Sequence, residues 1–118
     1  MPPRGSRARV PSAFVFGFVV ACLAGACATY RNDLARAREH YKASEFDKSL
    51  ALLRVLEDDL DSLTPSERAE YAYTRGMTDY RLAELTRATE GPDDPRAAYR
   101  MHARHWLALA AAIEKSQP

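Results

Sequence analysis

The chain has 118 residues, with 17 Lys and Arg against 16 Asp and Glu. That near-neutral balance excludes a nucleic-acid-binding composition, and the length bounds the fold to a single small domain. The charge is unevenly placed. Arg4, Arg7 and Arg9 form a basic start without acidic residues, Pro11 follows, and Ser12 to Ala26 form a largely apolar run. The run is about fifteen residues long and contains Gly17 and Gly25, whereas a membrane-spanning helix needs roughly twenty apolar residues. A basic segment, a short apolar core and small residues at its end are the layout of an export signal.

The run ends in Leu23-Ala24-Gly25-Ala26-Cys27, which resembles the lipobox of bacterial lipoproteins. The resemblance implies a signal peptide over residues 1–26, lipid on Cys27 and a short tether over 27–32. Ala28, rather than Asp, after the cysteine implies the periplasmic face of the outer membrane. Alternatives stay open. Val19-Val20-Ala21 before Cys22 has similar small, apolar character, the segment could remain as an uncleaved anchor, and Ala24-x-Ala26 also fits ordinary signal peptidase, which would leave a secreted or periplasmic protein. Cleavage before Cys27 removes Cys22, leaves one cysteine and excludes an internal disulfide. The chain after residue 26 carries 14 Lys and Arg against 16 Asp and Glu.

Beyond Thr29 the chain is rich in Ala, Leu, Arg and Glu, with Gly and Pro confined mostly to punctuating positions. The pattern predicts an all-α domain over 33–116 with four helices. The first is expected over about Asn32 to Ala43, presenting Leu34, Ala37 and Tyr41. Ser44, read as an N-cap with Asp47 three residues on, restarts the chain as a second helix to about Leu60. Phe46, Leu50, Leu53, Leu56 and Leu60 form its buried stripe. Thr64-Pro65-Ser66-Glu67 is a capping box that opens a third helix to about Thr89, with Tyr73, Gly76, Met77, Tyr80 and Ala83 on one face. Gly91-Pro92 breaks that helix, and Asp94-Pro95 opens a fourth. Its expected stripe is Ala98, Met101, His105 or Trp106, Leu109 and Ile113.

The stretch Tyr41-Lys42-Ala43-Ser44-Glu45-Phe46-Asp47-Lys48-Ser49-Leu50 resembles the turn between the two helices of a tetratricopeptide repeat. Ala37 and Ser49 stand at that family's small positions, where the helices interlock, and Leu53 and Leu56 at its large ones. Asp33 and Arg36 depart from the pattern. A second copy is in register through Gly76 and Tyr80, with Ala103, Leu107 and Ala110 resembling second-helix residues. Its two helices must be extended, with Glu90 to Pro95 as the joining loop. The resemblance implies two antiparallel helical hairpins, fewer than the three repeats of a usual autonomous array. It also implies a concave groove lined by first-helix residues, here Arg38, Tyr41, Tyr73, Met77 and Arg81, although Tyr41, Tyr73 and Met77 equally suit the core between two hairpins.

Catalysis is not expected. Ser44, Ser62 and Ser66 are explained by helix ends, and neither a nucleophile with a base nor a phosphate loop is visible. His102 and His105 share a helix face, but Arg100 and Arg104 beside them disfavour a cation, so no metal or cofactor is expected. The acidic run Glu57, Asp58, Asp59 and Asp61 lies where a helix dipole disfavours it. Arg96, Arg100 and Arg104 form a basic ridge that could meet that run or an acidic partner. The expected function is that of a lipid-anchored envelope protein, an interaction adaptor or accessory subunit that binds another envelope protein or peptide. The alternative is a structural subunit whose core is completed only in an oligomer or larger envelope assembly.

Overall fold

The computed structural model describes residues 29–118 apart from Glu90. The segment read as an export signal and lipobox, with Cys22 and Cys27, and Ala28 therefore lie outside the described residues. Within them the chain is all-helical, with four α-helices and no strand. Helix α1 covers residues 29–42, α2 Phe46–Glu57, α3 Pro65–Leu85 and α4 Pro95–Ser116, and a single 3₁₀ turn, Leu60–Ser62, follows α2. Residues 29–32, expected in a tether, are already helical.

Ser44 does not cap α2; it ends α1. Its φ of 59° is left-handed, the Ser44 N–H donates to Tyr41 O at 3.0 Å, and the Glu45 N–H donates to His40 O at 2.8 Å. This pair of backward bonds is the Schellman stop that satisfies the last carbonyls of a helix. Glu45 is the N-cap of α2 and makes no side-chain cap bond; its carboxylate instead meets Lys48 at 2.8 Å and His40 at 3.2 Å. A left-handed conformation costs a residue with a Cβ and suits glycine. Ser44→Gly is therefore expected to raise stability by about 0.5–1 kcal/mol, read as a higher urea midpoint at unchanged slope.

The α2 stripe is buried at Leu50, Leu53 and Leu56, with Leu60 packed at its margin. The helix ends at Glu57, earlier than expected. The capping box is formed in full: the Glu67 N–H donates to Thr64 Oγ1 and the Thr64 N–H to Glu67 Oε1, both at 3.2 Å. Asp94 caps α4, accepting from the Arg96 N–H at 3.0 Å, and Pro95 fills the first helical position, where no N–H is needed.

Helix α3 is the centre of the domain and buries residues on more than one side, among them Tyr71, Ala72, Thr74, Thr78, Asp79 and Leu82. It packs against both α2 and α4. The single face expected for it is corrected: Gly76 and Ala83 are buried, whereas Tyr73 and Tyr80 stand exposed. In α4 the buried residues are Ala103, Trp106 and Ala110, so Ala98, Met101 and Leu109 belong to the outside. The core joins Leu34 and Ala37 of α1, Leu53 and Leu56 of α2, Tyr71 and Ala72 of α3, and Trp106 and Ala110 of α4, with Leu63 from the connection.

Small residues mark the tightest approaches. The Ser49 hydroxyl, fully buried, donates to Ala37 O at 2.9 Å and lies 3.4 Å from the Thr78 hydroxyl. That bond satisfies a polar group that would otherwise be costly to bury, and it joins α1 to α2 where large side chains would hold them apart.

Candidate functional site

Four of the residues singled out from the sequence converge where α1 meets α3. Arg38, Tyr41, Lys42, Glu70, Tyr73 and Thr74 line a depression of about 200 Å³. A second, of about 380 Å³, is lined by Tyr41, Lys42, Phe46, Arg81, Glu84 and Leu85, with Ser44 at its edge. Tyr41 and Lys42 line both, so the two depressions adjoin along the α1/α3 groove.

The groove is built by helical spacing. Tyr73 and Arg81 of α3 are eight residues apart, about two turns, and therefore share a face. Arg38 forms an ion pair with Glu70, linking α1 to α3. Arg81 meets Glu84 at 3.2 Å, and its pKa is held up first by hydrogen bonding with Tyr41 and then by Glu84. The Tyr41 ring packs edge-on against Phe46 at 5.4 Å between centroids, which fixes the ring at the mouth of the groove. Tyr73 is 53% exposed. Tyrosine and arginine are among the residue types that carry most of the binding energy at protein interfaces. Met77 is half-buried between Tyr73 and Arg81 in sequence and lines neither depression.

Arg96, Arg100 and Arg104 do not join this groove. Arg96 folds back onto Asp94 at 2.7 Å, while Arg100 and Arg104 are exposed and enter no ion pair among the described residues. The basic ridge thus does not pair with the acidic run within the chain. Glu57 is met instead by Arg75 at 3.3 Å.

Arg75 belongs to a buried polar line along α3. Tyr71 donates to Leu53 O at 2.6 Å and accepts from Arg75 Nη1 at 3.0 Å. Arg75 Nε lies 3.4 Å from Asp79 Oδ2, and its guanidinium sits 5.3 Å from the centre of the Trp106 ring. Burial pushes the Tyr71 hydroxyl up to about 12. Burial also raises the Asp79 carboxyl above its ordinary value, outweighing the opposing pull of Arg75, His102 and Arg54. Residues 71, 75 and 79 repeat every four positions, a spacing that resembles a solvated stripe in the sequence; only the second packing side of α3 turns it inward.

No group of three or more His, Cys, Asp or Glu side chains suited to a metal ion occurs among the described residues. No helix among them is long and apolar enough to cross a membrane. His105 packs edge-on against Trp106 at 5.1 Å, and His102 acts electrostatically on Asp79. No protein-family model, curated protein or solved structure matches the chain.

Proposed function

We propose that this chain is a lipid-anchored protein of the cell envelope whose helical domain is an interaction adaptor, holding a segment of another envelope protein in the groove between α1 and α3. The observation that carries the reading is the placing of Arg38, Tyr41, Tyr73 and Arg81 on two adjoining depressions that share Tyr41. Tyrosine supplies large contact area at modest entropic cost, and arginine supplies directional bonding. The four helices are read as two antiparallel hairpins of tetratricopeptide type, α1 with α2 and α3 with α4. Two features support this: the Ser49–Ala37 bond, and Gly76, in the register of Ala37, close against Leu107 of α4. The anchor rests on Cys27 and the signal before it. A lipid there would hold the groove close to the bilayer, because α1 already runs from residue 29.

The test uses full-length protein in its native envelope. Cross-linking is expected to recover a discrete partner, and Tyr41→Ala/Tyr73→Ala is expected to lower that recovery at least about tenfold, since two aromatic anchors together carry more than 1.4 kcal/mol. Recovery of the same partner at the same yield would reject the groove. The anchor is read separately. Wild type should partition into detergent and Cys27→Ala into the aqueous phase, and an unlipidated, aqueous wild type rejects it.

A further inference from the structure

The charge of the chain after residue 28 is segregated. Residues 29–94 carry ten Lys and Arg against fifteen Asp and Glu, whereas residues 95–116 carry four against one. The body of the domain therefore repels an acidic partner, and helix α4 attracts one. The buried residues of α4 are Ala103, Trp106 and Ala110. Ala97, Ala98, Met101, Arg104 and Ala108 lie on its other side and are exposed, with Arg100 exposed beside them.

Two features meet on the first half of that outward face. One is a mostly apolar depression of about 430 Å³, lined by Pro92, Pro95, Ala97, Ala98 and Met101, with Asp93 and Asp94 at its foot. Met101 is 58% exposed. The other is the pair Arg100 and Arg104, four residues and about 6 Å apart along the helix. Neither forms an ion pair among the described residues. Of the acids nearby, Asp94 caps α4 and is engaged by Arg96, and Asp93 precedes the helix. No acidic residue then occurs before Glu114, which turns towards α3. His102 and His105 border the face and bring no negative charge to it.

We propose that this face of α4 docks an acidic amphipathic helix of another protein, whose apolar side chain seats on Met101 in the depression while two carboxylates one turn apart meet Arg100 and Arg104. The match is one of spacing: carboxylates at i and i+4 of a helix stand at the same interval as the two arginines. Each guanidinium offers a fork of donors that suits a carboxylate. Ala97, Ala98 and Ala108 admit a neighbouring helix to the short end of the 8–10 Å range of interaxial distances. Asp93 sets the direction, because it repels acids at the foot of the depression, so the acidic stretch of the partner lies towards Arg104. A bilayer suits the face less well. Around Met101 it offers mainly alanine, with little of the apolar bulk that draws an interfacial helix into lipid. The contact depends on neither the α1/α3 groove nor the lipid anchor.

Fluorescence anisotropy tests the contact, with the full-length chain in non-ionic detergent titrated into a labelled synthetic helical peptide that repeats leucine flanked by glutamates at i and i+4. Wild type is expected to bind it, more weakly in high salt, and at least about tenfold more tightly than the same peptide with glutamine for glutamate. Arg100→Glu/Arg104→Glu should weaken binding at least about tenfold, because attraction becomes repulsion at both positions. Met101→Asn should weaken it at least about threefold through lost apolar contact. Arg36→Glu/Lys48→Glu changes the net charge equally at exposed positions elsewhere and should leave binding within about twofold of wild type. Far-ultraviolet circular dichroism of each variant keeps loss of folding distinct from loss of binding. A wild type that does not distinguish glutamate from glutamine, or a control pair that loses as much as the α4 pair, overturns the proposal. So does a wild type that ignores the peptide but uses the same two arginines to bind phosphatidylglycerol vesicles or a second copy of itself.

Discussion

Arg75→Ala is expected to cost about 3–5 kcal/mol of folding stability, the range for removing one partner from a buried charge pair. The side chain is nearly enclosed and serves four neighbours at once. It donates to the Tyr71 hydroxyl and the Glu57 carboxylate, lies beside Asp79, and covers the Trp106 ring. Truncation leaves Asp79, 1% exposed, as a buried carboxylate without its cation. Uncompensated charge is what makes such a deletion expensive; the pair itself is a weaker contributor, since taking both ions out of water is costly. Arg75→Met/Asp79→Leu should therefore recover most of the loss, because neither side chain then brings a charge inside. Urea unfolding of the two variants and wild type measures both statements. An Arg75→Ala protein within about 0.5 kcal/mol of wild type would show that the buried line does not support the fold.

The pH dependence of that deficit has a definite sign. Burial raises the Asp79 carboxyl pKa in the folded protein. Its ionisation therefore opposes folding, a cost absent below the unfolded-state pKa and complete once pH has risen through the folded value. Removing Arg75 takes away an attraction that holds this pKa down, so the window widens upward. The deficit of Arg75→Ala should be largest near neutral pH and should shrink as pH falls through the raised folded pKa of Asp79, where the carboxylate takes up a proton. Glu45, Glu67 and Asp94 act in the opposite direction. Their pKa values are lowered in the fold, so their contribution is present above the ordinary carboxyl range and is lost as pH falls through the folded values. Comparing variant with wild type at each pH cancels those shared contributions.

What the sequence reveals follows from where its signals are local. The Thr64 box and the Asp94-Pro95 start depend on residues within one turn, and both form as read. The Leu50, Leu53 and Leu56 stripe is equally legible, because α2 buries one face and apolar periodicity reports that face directly. Ser44 misleads because a serine before a helix suits an N-cap, yet the same position is one residue past the stop of α1; only φ separates the roles. Helix α3 misleads for a different reason. A helix packed on several sides has no single apolar stripe, and the inward-turned Tyr71, Arg75 and Asp79 have the composition of a surface. The groove is half legible. Residue types and spacing place Tyr73 and Arg81 on one face, but the partnership of that face with Arg38 and Tyr41 arises from packing between distant segments.

Gly76→Ala is the second large effect, and its direction runs against helix propensity. In an exposed helix interior the change would stabilise by about 1 kcal/mol. Here α3 crosses α4 at Gly76, where an added Cβ would stand 2.6 Å from Leu107 Cγ, 2.9 Å from Leu107 Cδ2 and 3.1 Å from the Leu107 backbone nitrogen. Cγ is bound to a Cβ held by the α4 backbone and cannot swing away as a distal atom can, and the nitrogen moves only with the helix. Either α4 shifts or Leu107 leaves its rotamer, and overpacking of this kind costs about 1–3 kcal/mol net. Gly76→Ala/Leu107→Ala should be less destabilised than the sum of its single variants, because removing Cγ and Cδ2 relieves the two closest contacts. Simple additivity in urea melts, or a Gly76→Ala protein stabilised by the full propensity difference, would rule out the close crossing. The same melt bears on the proposed groove. Tyr73 and Arg81 lie three residues before and five after Gly76 on the helix whose seating that glycine permits, so a displaced α3 should weaken partner recovery even with every groove side chain intact.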